Sequence, residues 1–360
     1  MKYKKFFKNK KIIVTGHTGF KGSWLALWLH TLGAKVMGIS NDIPTKPSHY
    51  QLIKLNKKII SKNIDVYNLH QLKKTINKFK PDFIFHLAAQ SIVKKSYLNP
   101  IETWKTNLFG TINILESLKN QKKETIVIII TSDKAYKNIE TKRGYKEDDA
   151  IGAEDPYGAS KSAAEIAIQS YVKNFFSSKK NKIFISVARA GNVIGGGDWS
   201  SNRLIPDCMK SWLKRKKVVI RNPNSTRPWQ HVIEVIYGYL TLAVKLKKNK
   251  KLHGEAFNFG PDKNKVYKVN DILKEMKKKW PIINWKISKK KNFKENVLLH
   301  LNSRKAKEKL NWNCVLNFKK TINLTIDWYK FYLKNKNKVM KKSIEQIYYY
   351  QSMLNRGNNR

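Results

Sequence analysis

At 360 residues with 41% hydrophobic content, the chain is long enough to bury a sizeable core in one large or two intimately joined domains. No stretch approaches the roughly 20 apolar residues of a membrane span, and Cys208 and Cys314, the only cysteines, support neither a disulfide framework nor metal-ligand spacing. The formal charge of +48 raises nucleic-acid binding, but 64 of the 73 cationic residues are lysines scattered over helix surfaces and turns, whereas base reading draws on arginine.

In chain order, the first half alternates apolar runs with amphipathic stretches. Strands are expected at 11–15, 34–39, 83–88, 125–131 and 183–189, continuous and β-branched as in a parallel sheet buried on both faces. Helices are expected over 20–32, 68–79, 101–119 and 157–176. The alternation implies βαβ units, an α/β class and a Rossmann-type doubly wound parallel sheet. After residue 190 the pattern loosens into shorter elements, with a helix over 231–247 and a strand at 256–259 that could return to the sheet. The expected organisation is a dinucleotide-binding domain over 1–190 with returning segments near 231–260. A smaller α+β substrate domain covers 191–330, and a peripheral C-terminal helix or loose tail covers 331–360. With only two cysteines a reducing cytoplasm is the expected setting, and the basic N-terminus shows no signal-type apolar region before the first strand-like run.

Between the first strand and first helix lies Thr15-Gly16-His17-Thr18-Gly19-Phe20-Lys21-Gly22. Glycines at 16, 19 and 22 let the backbone turn tightly and approach a pyrophosphate at a helix N-terminus, where free N–H groups and the dipole favour anions. Glycine spacing alone is a weak signal; the strand–turn–helix context strengthens it. Asp42, slightly late after the second strand, is either the ribose ligand or a solvated loop residue. No arginine follows that strand to cradle a 2′-phosphate, which favours NAD over NADP. Asp65-Val66 could meet adenine, and Leu87-Ala88-Ala89 ends a strand in residues small enough for close approach by a cofactor.

Further on, Thr131-Ser132-Asp133-Lys134 closes an apolar run, and Tyr157-Gly158-Ala159-Ser160-Lys161 follows. Tyr and Lys at i,i+4 share a helix face, where the ammonium can lower the phenol's proton affinity. Such pairs are often mere surface neighbours, but an upstream Ser132 and the glycine turn point to proton-and-hydride chemistry. Asp133 and Lys134 add an acid and a potential base that alcohol oxidation does not need.

These stretches, together with HLAAQ (86–90) and Asn107 in TNLFGT, resemble the extended short-chain dehydrogenase/reductase family over roughly residues 10–330. Within it, GHTGFKGSW (16–24), TSDKAY (131–136), ARAGNVIGGGDW (188–199), RLIP (203–206) and IRNPNSTRPWQHV (220–232) resemble the CDP-glucose subgroup of the 4,6-dehydratases. Relatives acting on dTDP-glucose carry Asp-Glu where this chain has Asp133-Lys134. Subgroup chains often carry Cys at the place of Ala135.

The resemblance implies NAD as a returning hydride carrier and dehydration of CDP-glucose to CDP-4-keto-6-deoxyglucose, a step toward deoxysugars of surface glycans. Tyr157 would be the base at carbon 4, with Ser132 sharing that proton and Lys161 stabilising phenolate and meeting the nicotinamide ribose. Asp133 would be the elimination acid, and Lys134 either the carbon-5 base, favoured as a neutral amine by burial, or a group that only pairs with Asp133. Asn107 would bind near the cofactor or cap structure. Asn192, Arg203, Arg221 and Arg227 would meet the sugar diphosphate, for which arginine's fork is suited. His231 reads as a helix-start histidine. A homodimer through the helices around 101–119 and 157–176 is also implied. The alternatives are an epimerase or a dehydratase of dTDP- or UDP-sugars, and, in another class, a non-catalytic basic nucleic-acid binder.

Overall fold

The computed structural model describes residues 3–141, 143–220, 222–261, 267–288 and 299–357. Seven parallel strands form the central sheet: β1 (Lys11–Thr15), β2 (Lys35–Ser40), β3 (Ile60–Asn63), β4 (Phe83–His86), β5 (Thr125–Ile130), β6 (Ile183–Ala190) and β7 (Ala256–Phe259), in the spatial order β7-β6-β5-β4-β1-β2-β3. The order reverses between β1 and β4, and ligands of such sheets bind outside the strands' carboxyl ends at that point.

Residues of one strand feed two cores, because side chains alternate across the pleat. Ile12, Val14, Phe83, Phe85, Ile126 and Ile128 pack on one face against α1 (Phe20–Thr31). Ile13, Ile84, Val127 and Ile129 pack on the other, under α2 (Leu69–Phe79), α3 (Gly110–Glu116) and α4 (Pro156–Phe175). The α4 helix starts where its sequence says it should. Asp155 accepts the Gly158 N–H at 3.0 Å, and Pro156 takes the first helical position, where a missing N–H costs nothing.

The expected strand 256–259 does return to the sheet as β7 beside β6, and the intervening helix α5 (Val232–Lys248) lies buried along most of its length. Smaller pieces carry the remainder of the second half: helices Leu204–Leu213 and Val269–Lys279, and the two-stranded pairings of 218–220 with 285–287 and 226–227 with 267–268.

Three expectations need correction. The segment 101–119 is no uniform helix, because a π-turn over Lys105–Phe109 interrupts it. The edge strand β3 was absent from the expected strands, since its four residues are all exposed and only Ile60 among them is apolar. The C-terminal stretch is neither loose nor peripheral. Helices α6 (Phe318–Lys334) and α7 (Val339–Gly357) are joined to the main core, where Val339, Ile347 and Tyr350 are buried. Tyr350 packs edge-on against Trp28 of α1 and donates to the buried Glu234 carboxylate of α5 at 2.9 Å. Glu234 also accepts the Val315 and Leu316 N–H groups, so three segments converge on one buried carboxylate. Among the described residues no helix is long and apolar enough to cross a membrane.

Candidate active site

The turn after β1 has the geometry a dinucleotide requires. Gly16 has φ +71°, and a Cβ there would lie 2.8 Å from the Ala88 nitrogen, so the turn closes directly on the strand β4 exit. A Cβ on Gly22 would lie 2.1 Å from the Gly16 carbonyl oxygen, so helix and strand meet backbone to backbone. Gly19 is the N-cap of α1 and has no side-chain cap, leaving the helix N-terminus available to an anion. Thr15 holds the opposite wall, its hydroxyl accepting the N–H groups of Leu87 and Ala88, each at 3.1 Å. These residues fit a dinucleotide.

Other members of the motif serve the protein. The His17 ring turns inward between the Ser40 hydroxyl (3.0 Å) and the Ser61 hydroxyl (2.7 Å), over Gly38, where a Cβ would strike the ring. Burial pushes its pKa down to about 4, so only its backbone is left to face a cofactor. Thr18 donates to the Asp42 carbonyl at 2.7 Å, while the Asp42 residue itself is exposed. Asp65 accepts the Asn41 amide at 3.0 Å and the Tyr67 N–H at 2.8 Å, and Val66 is buried against Gly110. Phe20 packs toward Gly195.

Of the two roles expected for Asn107, its contacts match the structural one. It sits in the π-turn, fully buried, with its amide spent on the Gln90 main chain and the Ser160 hydroxyl. It locks the 87–90 loop to α4.

The structure brings Ser132, Asp133, Tyr157 and Lys161 together. All four are buried, and Tyr157 shares a hydrogen bond with Ser132. Ser132 also donates to Asp133 at 3.0 Å. Gly191 makes room for that carboxylate, since a Cβ there would lie 1.7 Å from an Asp133 oxygen. Burial raises the Tyr157 phenol, with Asp133 adding to the rise, while the Ser132 hydrogen bond and the Arg203 charge oppose it. Lys161 is pulled down from 10.5 to about 7, by burial first and then by the charge of Lys21, and its ammonium donates to the Ile130 carbonyl at 3.3 Å. The expectation that Lys161 is the main aid to phenolate therefore needs extending to Arg203.

Lys134 also departs from expectation. Its side chain is 38% exposed and faces Asp155 at 3.9 Å, not Asp133, so the burial expected to keep its amine neutral is absent.

Arg203, at the start of helix Leu204–Leu213, donates to Ser91 at 3.1 Å and to Asp198 at 3.4 Å, joining the substrate segment to the β4 exit. Lys21 belongs to this group too. Burial and Arg203 lower it to about 8 against the opposing charges of Asp133 and Asp198. Asn192, half-buried, takes a left-handed φ of +51° beside the site. Arg227 is half-buried in the strand 226–227, and Arg221 lies outside the described residues. His231 caps α5, accepting the Ile233 N–H at 3.3 Å, and burial lowers it to about 3, as suits a helix-start histidine.

Sequence reading did not single out Ser91 and Asp198, which contact Arg203, or Gly191, which makes room for Asp133, and took Lys21 only as part of the glycine turn. It also missed Glu165 and Arg189, a buried ion pair beneath that loop. Among the described residues no group of three or more His, Cys, Asp or Glu could hold a metal ion.

Comparison with known proteins places this architecture. The family model described as GDP-mannose 4,6 dehydratase matches residues 13–325. A CDP-glucose 4,6-dehydratase of Salmonella typhimurium is 39% identical over 338 residues, spanning 93% of this chain and 94% of the relative. A human dTDP-D-glucose 4,6-dehydratase is 26% identical, covering 89% and 90% of the two chains. Among solved structures, an epimerase of Methanothermobacter thermautotrophicus superposes with TM-score 0.80 at 21% identity, covering 94% of this chain and 97% of that one. The Bacillus cereus UDP-glucuronic acid 4-epimerase, solved with UDP-glucuronic acid and NAD, gives 0.74 at 23% identity, covering 89% and 99%.

Proposed function

We propose that this chain, which belongs to the GDP-mannose 4,6 dehydratase family, is a cytoplasmic NAD-dependent lyase that dehydrates CDP-glucose to CDP-4-keto-6-deoxyglucose. The observation that carries the reading is the meeting of Ser132 and Asp133 from the β5 exit with Tyr157 and Lys161 from α4 beside an open glycine turn. The relative at 39% identity supports the choice of nucleotide.

The Gly16–Gly22 turn, Leu87–Ala89 and Lys161 would hold NAD, which would accept a hydride from carbon 4 and return one to carbon 6. Tyr157 takes the carbon-4 hydroxyl proton, with Ser132 bridging the oxygen and Arg203 and Lys161 favouring the anion. The resulting ketone acidifies the carbon-5 proton, which Lys134 removes. Asp133 protonates the departing carbon-6 hydroxyl, which leaves as water. Hydride addition at carbon 6 and return of a proton to carbon 5 close the cycle. Because Lys134 is partly exposed and held toward Asp155, substrate closure must draw it over the sugar before it can act. Asp133 and Lys134 form an elimination pair that an epimerase has no need of.

Asn192, Arg203 and Arg227, in the segment 191–330, receive the sugar diphosphate. A homodimer through the segments 93–116 and α4 is part of the reading, and the exposed apolar side chains of Tyr97, Leu98, Ile101, Phe109 and Ile166 on those segments support it. Incubation with CDP-, dTDP-, UDP- and GDP-hexoses tests the reading. A 4-keto-6-deoxy product is expected from CDP-glucose, and its absence there overturns the substrate assignment.

A further inference from the structure

The loop that bears Ser132, Asp133 and Lys134 is pinned at both ends by one buried ion pair. Before the loop, Thr131 donates its hydroxyl to Glu165 Oε1 at 2.6 Å. After it, the Tyr136 hydroxyl accepts from Arg189 Nη1 at 2.6 Å and donates to Asn258 at 2.9 Å. Glu165 and Arg189 close the clamp between them, with Arg189 Nε 2.9 Å from Oε1 and 3.0 Å from Oε2, and both side chains are at least 95% buried. Arg189 is further held by the Glu147 carbonyl at 3.0 Å. Glu165 stands one helical turn beyond Lys161 and two beyond Tyr157, on the same face of α4. The helix therefore grips the end of β5 at successive residues, Lys161 on the Ile130 carbonyl and Glu165 on the Thr131 hydroxyl.

We propose that Glu165 is a positioning residue for the carbon-4 oxidation: one turn beyond Lys161 on the same face of α4, it grips Thr131 and so fixes Ser132 against Tyr157. A buried salt bridge is weak evidence for stability, because desolvation offsets the attraction, so a specificity role is the better account of one placed here. The charged and titratable groups around Lys161 are Lys21 from α1, His86 from β4, and Tyr157 and Glu165 on its own helix. Glu165 is the group that raises Lys161, against burial and Lys21.

The inference rests on the dehydratase reading for its kinetic arm but not for its spectroscopic arm. In the ligand-free protein, 13C-lysine NMR of Glu165→Gln should show Lys161 titrating below the wild-type midpoint. With CDP-glucose, the same variant should lose about 100-fold in kcat, the cost of a misplacement near 1 Å, with KM changed less than about threefold. The alkaline limb of its kcat profile should also move to lower pH. If Glu165→Gln does not fold, Thr131→Val decides: it should lower kcat without moving that limb, and Thr131→Ser should restore the rate. An unmoved Lys161 titration, or wild-type kcat in Thr131→Val, overturns the proposal. Failure of the unsubstituted enzyme to turn over CDP-glucose would instead defeat the substrate assignment and leave the NMR test standing.

Discussion

Replacing Lys161 by Met should stabilise the ligand-free protein while destroying its chemistry. The Lys161 ammonium sits in the core with only 4% of its residue surface exposed. Burial and Lys21 reduce its proton affinity from 10.5 to about 7. A fall of about 3.5 decades, at about 1.4 kcal/mol per decade, corresponds to about 5 kcal/mol of destabilisation by the charged form. The sign follows from proton linkage. Below about pH 7 folded and unfolded chains are both protonated and the full cost is present. Between 7 and 10.5 the unfolded chain binds the extra proton, so stability rises with pH, and above 10.5 the cost is gone. Met fills similar space but leaves the Ile130 carbonyl without its donor, a loss of about 1 kcal/mol. The net gain at pH 6–7 is about 3–4 kcal/mol. Unfolding entropy near 2.1 cal/mol/K per residue converts this to a Tm rise of about 4–5 °C for a chain this long. Thermal melts of both proteins at pH 6 to 10.5 should show the variant ahead at neutral pH, with the gap closing as pH rises. A variant less stable than wild type at pH 7, or a gap that ignores pH, would refute the reasoning.

Gly22→Ala would place a Cβ 2.1 Å from the Gly16 oxygen, so it should abolish NAD binding by calorimetry even where circular dichroism shows retained fold. Tyr350→Phe removes a donor from the buried Glu234 carboxylate and should cost about 1–3 kcal/mol in urea unfolding. In single-turnover absorbance at 340 nm, Tyr157→Phe should show no hydride transfer. Lys134→Ala should accumulate the reduced nicotinamide without losing water, and equal loss of both steps would remove Lys134 from the base role.

Much of the frame was legible because it is written in local chemistry. Strands β1, β2, β4 and β5 are mostly apolar runs whose polar residues stand at their ends, β6 is broken only by Ser186 and Arg189, and Gly16, Gly19 and Gly22 sit where a strand hands over to a helix. The edge strand β3 was invisible as a strand because all four of its residues are exposed and three of them are polar. Asn107 stayed open between two roles because an amide in a recognisable motif says nothing of where it points; the π-turn aims it at Gln90 and Ser160. The clamp of Glu165 and Arg189 joins a helix to a strand 24 residues on, and Tyr350 reaches Glu234 across 116 residues. No periodicity records such pairings. Lys134 shows the same limit, since its neighbour in sequence is Asp133 and its neighbour in space is Asp155.

The most direct test of the account is to supply CDP-glucose deuterated at carbon 4 and locate the label in the product by NMR. Intramolecular hydride return predicts a 4-keto-6-deoxy sugar with deuterium at carbon 6, one solvent hydrogen at carbon 5 and no net consumption of NAD. A carbon-4 epimer with the label still at carbon 4, or deuterium lost to solvent, would contradict it.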